Sequence, residues 1–114
     1  MALHYNLAKV YALSDNDPEF VQQIISLFIS EVPADLEQVK TGVKEGDHKL
    51  AYSYAHKIKP TLDLLGMDVA FQEILQIEAW TKSEGKKKEI KPVFDSVEAQ
   101  IEKAVKEISK DFNL

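Results

Sequence analysis

His56, Lys57 and Lys59 are the residues of this chain whose types and spacing could do chemistry. A neutral imidazole nitrogen open to water is a nucleophile for a phosphoryl group. A lysine one helical turn away supplies an ammonium that could hold the transferred phosphate. The chain has no cysteine, so thiol nucleophiles, disulfides and Cys-based metal sites are absent. His4 and His48 are the other histidines. Neither has a partner at helical spacing that would make a metal pair with His56, and both are read as structural.

The element that must position His56 is an amphipathic helix ending at Gly66. At about 100° per residue, Leu50, Ala51, Tyr54, Ile58, Thr61, Leu62 and Leu65 fall within roughly 60° of the pole opposite His56. They form the core stripe. Lys49, Tyr52, Ser53, Lys59, Pro60 and Asp63 fall within about 60° of the histidine, which therefore centres the solvent face. Leu64 lies about 80° away, half-buried against a neighbouring helix or exposed for a partner.

The run from Ala55 to Met67 resembles the signature of histidine-containing phosphotransfer (HPt) domains. In that family an aliphatic residue, a lysine and a glycine follow the histidine by two, three and ten residues; here they are Ile58, Lys59 and Gly66. Two positions depart from the pattern. Pro60 stands at the usual glycine, removing an amide that would bond the carbonyl of His56, and Asp63 stands at a position that is usually small. The resemblance extends from about Asn6 to Lys110, through looser matches at Asp17 with Phe20, Phe28, Pro33 with Leu36, and Gly46-Asp47.

Length and composition agree with a small helical protein. The 114 residues suffice for a single domain, 1–114, with one core. Hydrophobic content of 45% and charged content of 29% are ordinary for a globular chain. A net charge of −5 argues against nucleic-acid binding, which needs a basic face. The run Lys86-Lys87-Lys88 is too short to reverse that and reads as a hydrated loop or helix start. No apolar run approaches a membrane span. Met1-Ala2-Leu3-His4-Tyr5-Asn6 lacks the pattern of a signal peptide, so a cytoplasmic location is expected. The initial Met1 favours a free-standing protein over a domain of a larger kinase.

Taken in order, Leu7, Val10, Tyr11 and Leu13 predict a short helix that stops at Ser14-Asp15-Asn16. Asp17-Pro18-Glu19 starts a helix carrying Phe20, Ile24, Leu27 and Phe28, expected to end near Val32 because Pro33 follows. Pro33 would open the next helix, with Leu36, Val39 and Val43, closed by Glu45-Gly46. Asp47 caps the His56 helix. Asp68 caps another, with Val69, Phe71, Ile74, Leu75, Ile77 and Trp80 as its apolar residues. The last begins near Glu89, with Pro92 either in its first turn or making the start ragged, and runs through Phe94, Val97, Ile101 and Ile108. Phe20, Phe28, Phe71, Trp80 and Phe94 are read as core. Short connections imply antiparallel neighbours. The expected fold is all-α: an up-and-down antiparallel four-helix bundle with a short additional N-terminal helix. A monomer is expected, because one bundle covers its own core.

Other chemistries lack their residues. There is no Glu-x-x-His pair for a di-iron bundle, no Gly-rich phosphate loop and no Gly-x-Ser-x-Gly. The His56 run faintly resembles the histidine box of sensor kinases, but Lys57 stands where that box has an acidic residue, and there is no room for a nucleotide-binding domain. The HPt resemblance implies a phosphorelay intermediate without kinase activity. His56 would accept a phosphoryl group from a receiver-domain aspartyl phosphate and pass it to another receiver. Lys59, with Lys57 as a second candidate, would stabilise the phosphate. Lys49, Tyr52, Ser53, Pro60, Asp63 and Leu64 would meet the partner. The implied partners are response-regulator receiver domains and a hybrid sensor histidine kinase, with no cofactor here and the divalent metal on the receiver. The alternative is a helical interaction module that binds such domains without phosphotransfer.

Overall fold

The computed structural model of the protein describes residues 4–114; Met1-Ala2-Leu3, part of the stretch read above for a leader pattern, lie outside the described residues. Five helices account for most of them: α1 (Ala8–Leu13), α2 (Pro18–Glu45), α3 (His48–Leu64), α4 (Asp68–Lys82) and α5 (Lys87–Asp111). α2 to α5 form a closed ring in which α2 packs on α3, α3 on α4, α4 on α5 and α5 back on α2; α1 rests on α2. This is the four-helix bundle with a short opening helix.

The main correction concerns Pro33. It lies inside α2, one continuous helix of 28 residues, rather than at the start of a second one. An interior proline costs about 3 kcal/mol relative to alanine. Against that, Val21, Ile25, Phe28, Val32, Leu36, Val39 and Val43 form one buried stripe across the proline. A break at Val32 would turn half of that stripe away from the core. Burial is worth about 1.5–3 kcal/mol for each such side chain, so continuity wins. Pro60 is likewise inside α3, and Pro92 is the sixth residue of α5 because that helix starts at Lys87.

The helix ends follow local chemistry. Asp17 accepts a hydrogen bond from the Glu19 amide, and Asp47 from the Leu50 amide at 3.1 Å. Asp68 is the first residue of α4, not its cap; Met67 holds the cap position and Asp68 meets the positive end of the helix dipole. The α2–α3 turn needs two glycines for different reasons. Gly46 adopts a left-handed conformation at φ 70°. Gly42 lets the helices touch, since a Cβ there would lie 2.6 Å from the Ala51 amide nitrogen.

The α3 stripe has the expected phase. Ala51, Ile58, Leu62 and Leu65 are buried, as is Ala55, while Leu50, Tyr54 and Thr61 are half-buried. Phe28, Trp80 and Phe94 are core and Phe71 is half-buried against it. Phe20, Leu27 and Val69 are exposed instead. On α2 and α4 the apolar residues spread beyond one face, and packing chose Val21, Ile25, Ala70 and Ile74 over them. Among the described residues no helix is long and apolar enough to cross a membrane.

Candidate functional site

His56 projects from the middle of α3 towards the groove shared with α4, its side chain 59% exposed. Its Nδ1 lies 2.9 Å from a carboxylate oxygen of Glu78 on α4. The other Glu78 oxygen accepts a hydrogen bond from Lys59 Nζ at 3.0 Å. One buried carboxylate thus ties together two of the three α3 residues singled out by the sequence, His56 and Lys59.

The state of that carboxylate decides the state of the ring. Glu78 is 8% exposed at its side chain. Burial pushes its pKa up, but hydrogen bonds from His56 and Lys59, reinforced by their charge, outweigh burial and hold it below the ordinary glutamate value. At neutral pH Glu78 is therefore ionised and can only accept. Nδ1 of a neutral His56 must then carry the ring proton, leaving the Nε2 lone pair free. Among the described residues Nε2 has no hydrogen-bond partner.

Neighbouring side chains complete the surroundings. The Tyr52 ring stacks on the imidazole, with centroids 5.5 Å apart and planes 13° from parallel. Lys82 Nζ lies 5.5 Å from the centroid of Tyr52 on its own account, a cation–π contact from the end of α4. Lys59 is 23% exposed, folded onto α4 rather than extended into water. Lys57 points the other way. Its Nζ is 3.1 Å from Asp35, a buried carboxylate on α2, and this bond raises the lysine pKa. Lys57 and Lys59 both follow His56 within three residues in sequence yet belong to opposite sides of α3.

The remaining candidates are dispersed along the helix. Lys49, Ser53 and Pro60 are exposed. Lys49, Tyr52 and Ser53, with Asp47, His48 and Lys82, line an open groove of about 740 Å³ between the start of α3 and the end of α4. Asp63 is ion-paired with Lys9 of α1 at 2.7 Å. Leu64 is half-buried against the core. His48 packs its ring on Trp80 and places Nε2 3.0 Å from the Gly85 carbonyl oxygen; His4 pairs with Glu107. Both are structural contacts. Among the described residues no three His, Asp or Glu side chains converge as a metal site.

Sequence reasoning missed Glu78 and Lys82. A signal for Glu78 existed: it occupies a core position in the stripe Ala70, Ile74, Ile77, Glu78, Thr81, where a carboxylate demands a partner. Which partner it meets could not be read from α4 alone.

No family model and no curated protein matches the sequence. Among solved structures, the chain is similar to the crystal structure of the HPt domain of a hybrid sensor histidine kinase from Shewanella. The TM-score is 0.82 at 13% identity, over 96% of this chain and 94% of that one. A likeness of that extent across four packed helices fixes the architecture: the protein has the fold of a histidine-containing phosphotransfer domain.

Proposed function

We propose that the protein is a phosphorelay intermediate whose phosphoacceptor is Nε2 of His56. The observation that carries this reading is the exposed imidazole held at Nδ1 by a buried, ionised carboxylate, with Lys59 on the same carboxylate. The Nε2 lone pair attacks phosphorus of an aspartyl phosphate on a receiver domain. The P–O bond to the aspartyl carboxylate breaks as the N–P bond forms, and the carboxylate leaves with the electron pair. No proton has to depart: Nδ1 keeps its hydrogen, and Glu78 offsets the positive charge that develops on the ring. The reverse attack by a receiver carboxylate passes the phosphoryl group on.

Lys59 and Lys82 bring positive charge to the α4 side of the ring, where phosphoryl oxygens need it. Lys57 is engaged by Asp35, so its share in this reading is small. The receiver docks over Lys49, Tyr52, Ser53 and Pro60, and the divalent metal is carried by the receiver. The chain supplies no kinase activity of its own.

The test is transfer from a receiver charged on its aspartate, compared between wild type and His56→Gln. An acid-labile, alkali-stable label on the wild type alone supports the assignment. Label on the variant places the acceptor elsewhere. Binding without label on either protein favours the non-catalytic interaction module. Label from ATP without a donor protein indicates kinase activity. With the reading upheld, Lys59→Ala should slow transfer by more than the loss of its contact with buried Glu78 weakens folding.

A further inference from the structure

The face of the bundle farthest from His56 is the seam between α2 and α5, because the ring of packed helices sets α2/α5 opposite α3/α4. A furrow runs along this seam in two halves. One, about 360 Å³, has Lys40, Lys44, Lys87 and Lys91 over a floor of Val43 and Phe94; Asp95, its only acidic side chain, is ion-paired with Lys91 at 2.8 Å, an exposed pair that can exchange partners. The other, about 460 Å³, has Glu37, Glu98 and Glu102 over Leu36 and Ile101; Lys106 is its only basic one. The Lys40–Glu98 ion pair at 3.4 Å marks the seam between the halves. Both signs of charge are segregated along one apolar-floored groove.

The arrangement on α5 is palindromic. Lys87, Lys91, Glu98 and Glu102 fall within roughly 60° of one another on the helix surface, at about 100° per residue. Reversing the helix about a point between Phe94 and Asp95 puts Lys87 onto Glu102 and Lys91 onto Glu98. A surface of that kind is complementary to itself under a two-fold axis.

We infer that the α2/α5 furrow is a self-association surface whose occupant is a second copy of this chain. The two α5 helices cross antiparallel, so that Lys87 and Lys91 of each protomer face Glu102 and Glu98 of the other. Lys44, for which the described residues offer no ion-pair partner, lies beside this contact and adds positive charge to the basic half. The floor residues are already buried, so the contact is polar, weak and screened by salt. At low concentration the chain is the monomer that its own covered core leads one to expect. At high concentration the pair leaves both His56 sites facing outward. The inference does not depend on the proposed phosphotransfer, and its test reads mass rather than activity.

Sedimentation equilibrium from about 10 µM to about 1 mM, at about 20 mM and about 500 mM NaCl, measures the association. A monomer–dimer equilibrium weakened about tenfold or more by the higher salt is expected. The double variants Lys87→Glu/Lys91→Glu and Glu98→Lys/Glu102→Lys should each be monomeric, with circular dichroism melts checking that both fold. Mixing the two should restore a dimer, since each then meets the opposite charge. A wild type that stays monomeric at low salt overturns the inference. So does a dimer indifferent to both variants, or a mixture that fails to pair. Should the wild type stay monomeric yet bind poly-glutamate through the lysines, the occupant is an acidic partner and self-pairing is refuted.

Discussion

Replacing Glu78 by Gln removes one charge from the centre of the site with little change in shape. The amide oxygen can still accept from Nδ1 of His56, but Lys59 loses the anion it faces at 3.0 Å. A charge-assisted hydrogen bond is worth about 1.5–3 kcal/mol. Two effects reduce this. Lys59 is 23% exposed and can rehydrate, and the variant no longer buries a carboxylate. The net loss should be about 1 kcal/mol, or about 3–6 °C in Tm for a chain of this length. The pH dependence identifies the source. The folded-state pKa of Glu78 is lowered, so its contribution is fully present above the unfolded value, about 4.5, and is lost as pH falls through the folded value. Calorimetric melts of wild type and Glu78→Gln should differ by several degrees at neutral pH and converge in acid, where wild-type Glu78 is protonated. An equal difference at both pH values would refute a role for the carboxylate charge. Imidazole ¹⁵N shifts give a second readout: the wild type should hold its proton on Nδ1, and Glu78→Ala should mix the tautomers.

Two further substitutions probe the frame that holds the site. Leu62 is fully buried, so Leu62→Ala should destabilise by about 2–5 kcal/mol in denaturant melts; a negligible change would mean that the α3 core has collapsed around the gap. Pro33→Ala should restore an amide inside α2 and raise stability by about 1–3 kcal/mol. A fall in Tm would show that proline contacts in the α2/α5 furrow outweigh the missing hydrogen bond.

Much of this protein is legible along each helix separately. Periodicity places Ala51, Ile58, Leu62 and Leu65 inside and His56 outside, because angular position on a helix depends only on residue number. The caps Asp17 and Asp47 and the left-handed Gly46 act within a few residues, so they too can be read locally. Pro33 does not end its helix, because the local bias at Val32 is outweighed by burial contributed by the rest of the bundle. Apart from the Tyr52 ring, one turn earlier on the same helix, the surroundings of His56 belong to tertiary structure. Glu78 lies 22 residues from His56, and Lys57 finds Asp35 at the same separation in the other direction. Sequence spacing sets which way a side chain leaves its own helix. Only the register between packed helices decides what it meets, and here that register turns Lys59 towards α4 and Lys57 towards α2 and leaves Nε2 of His56 open to solvent.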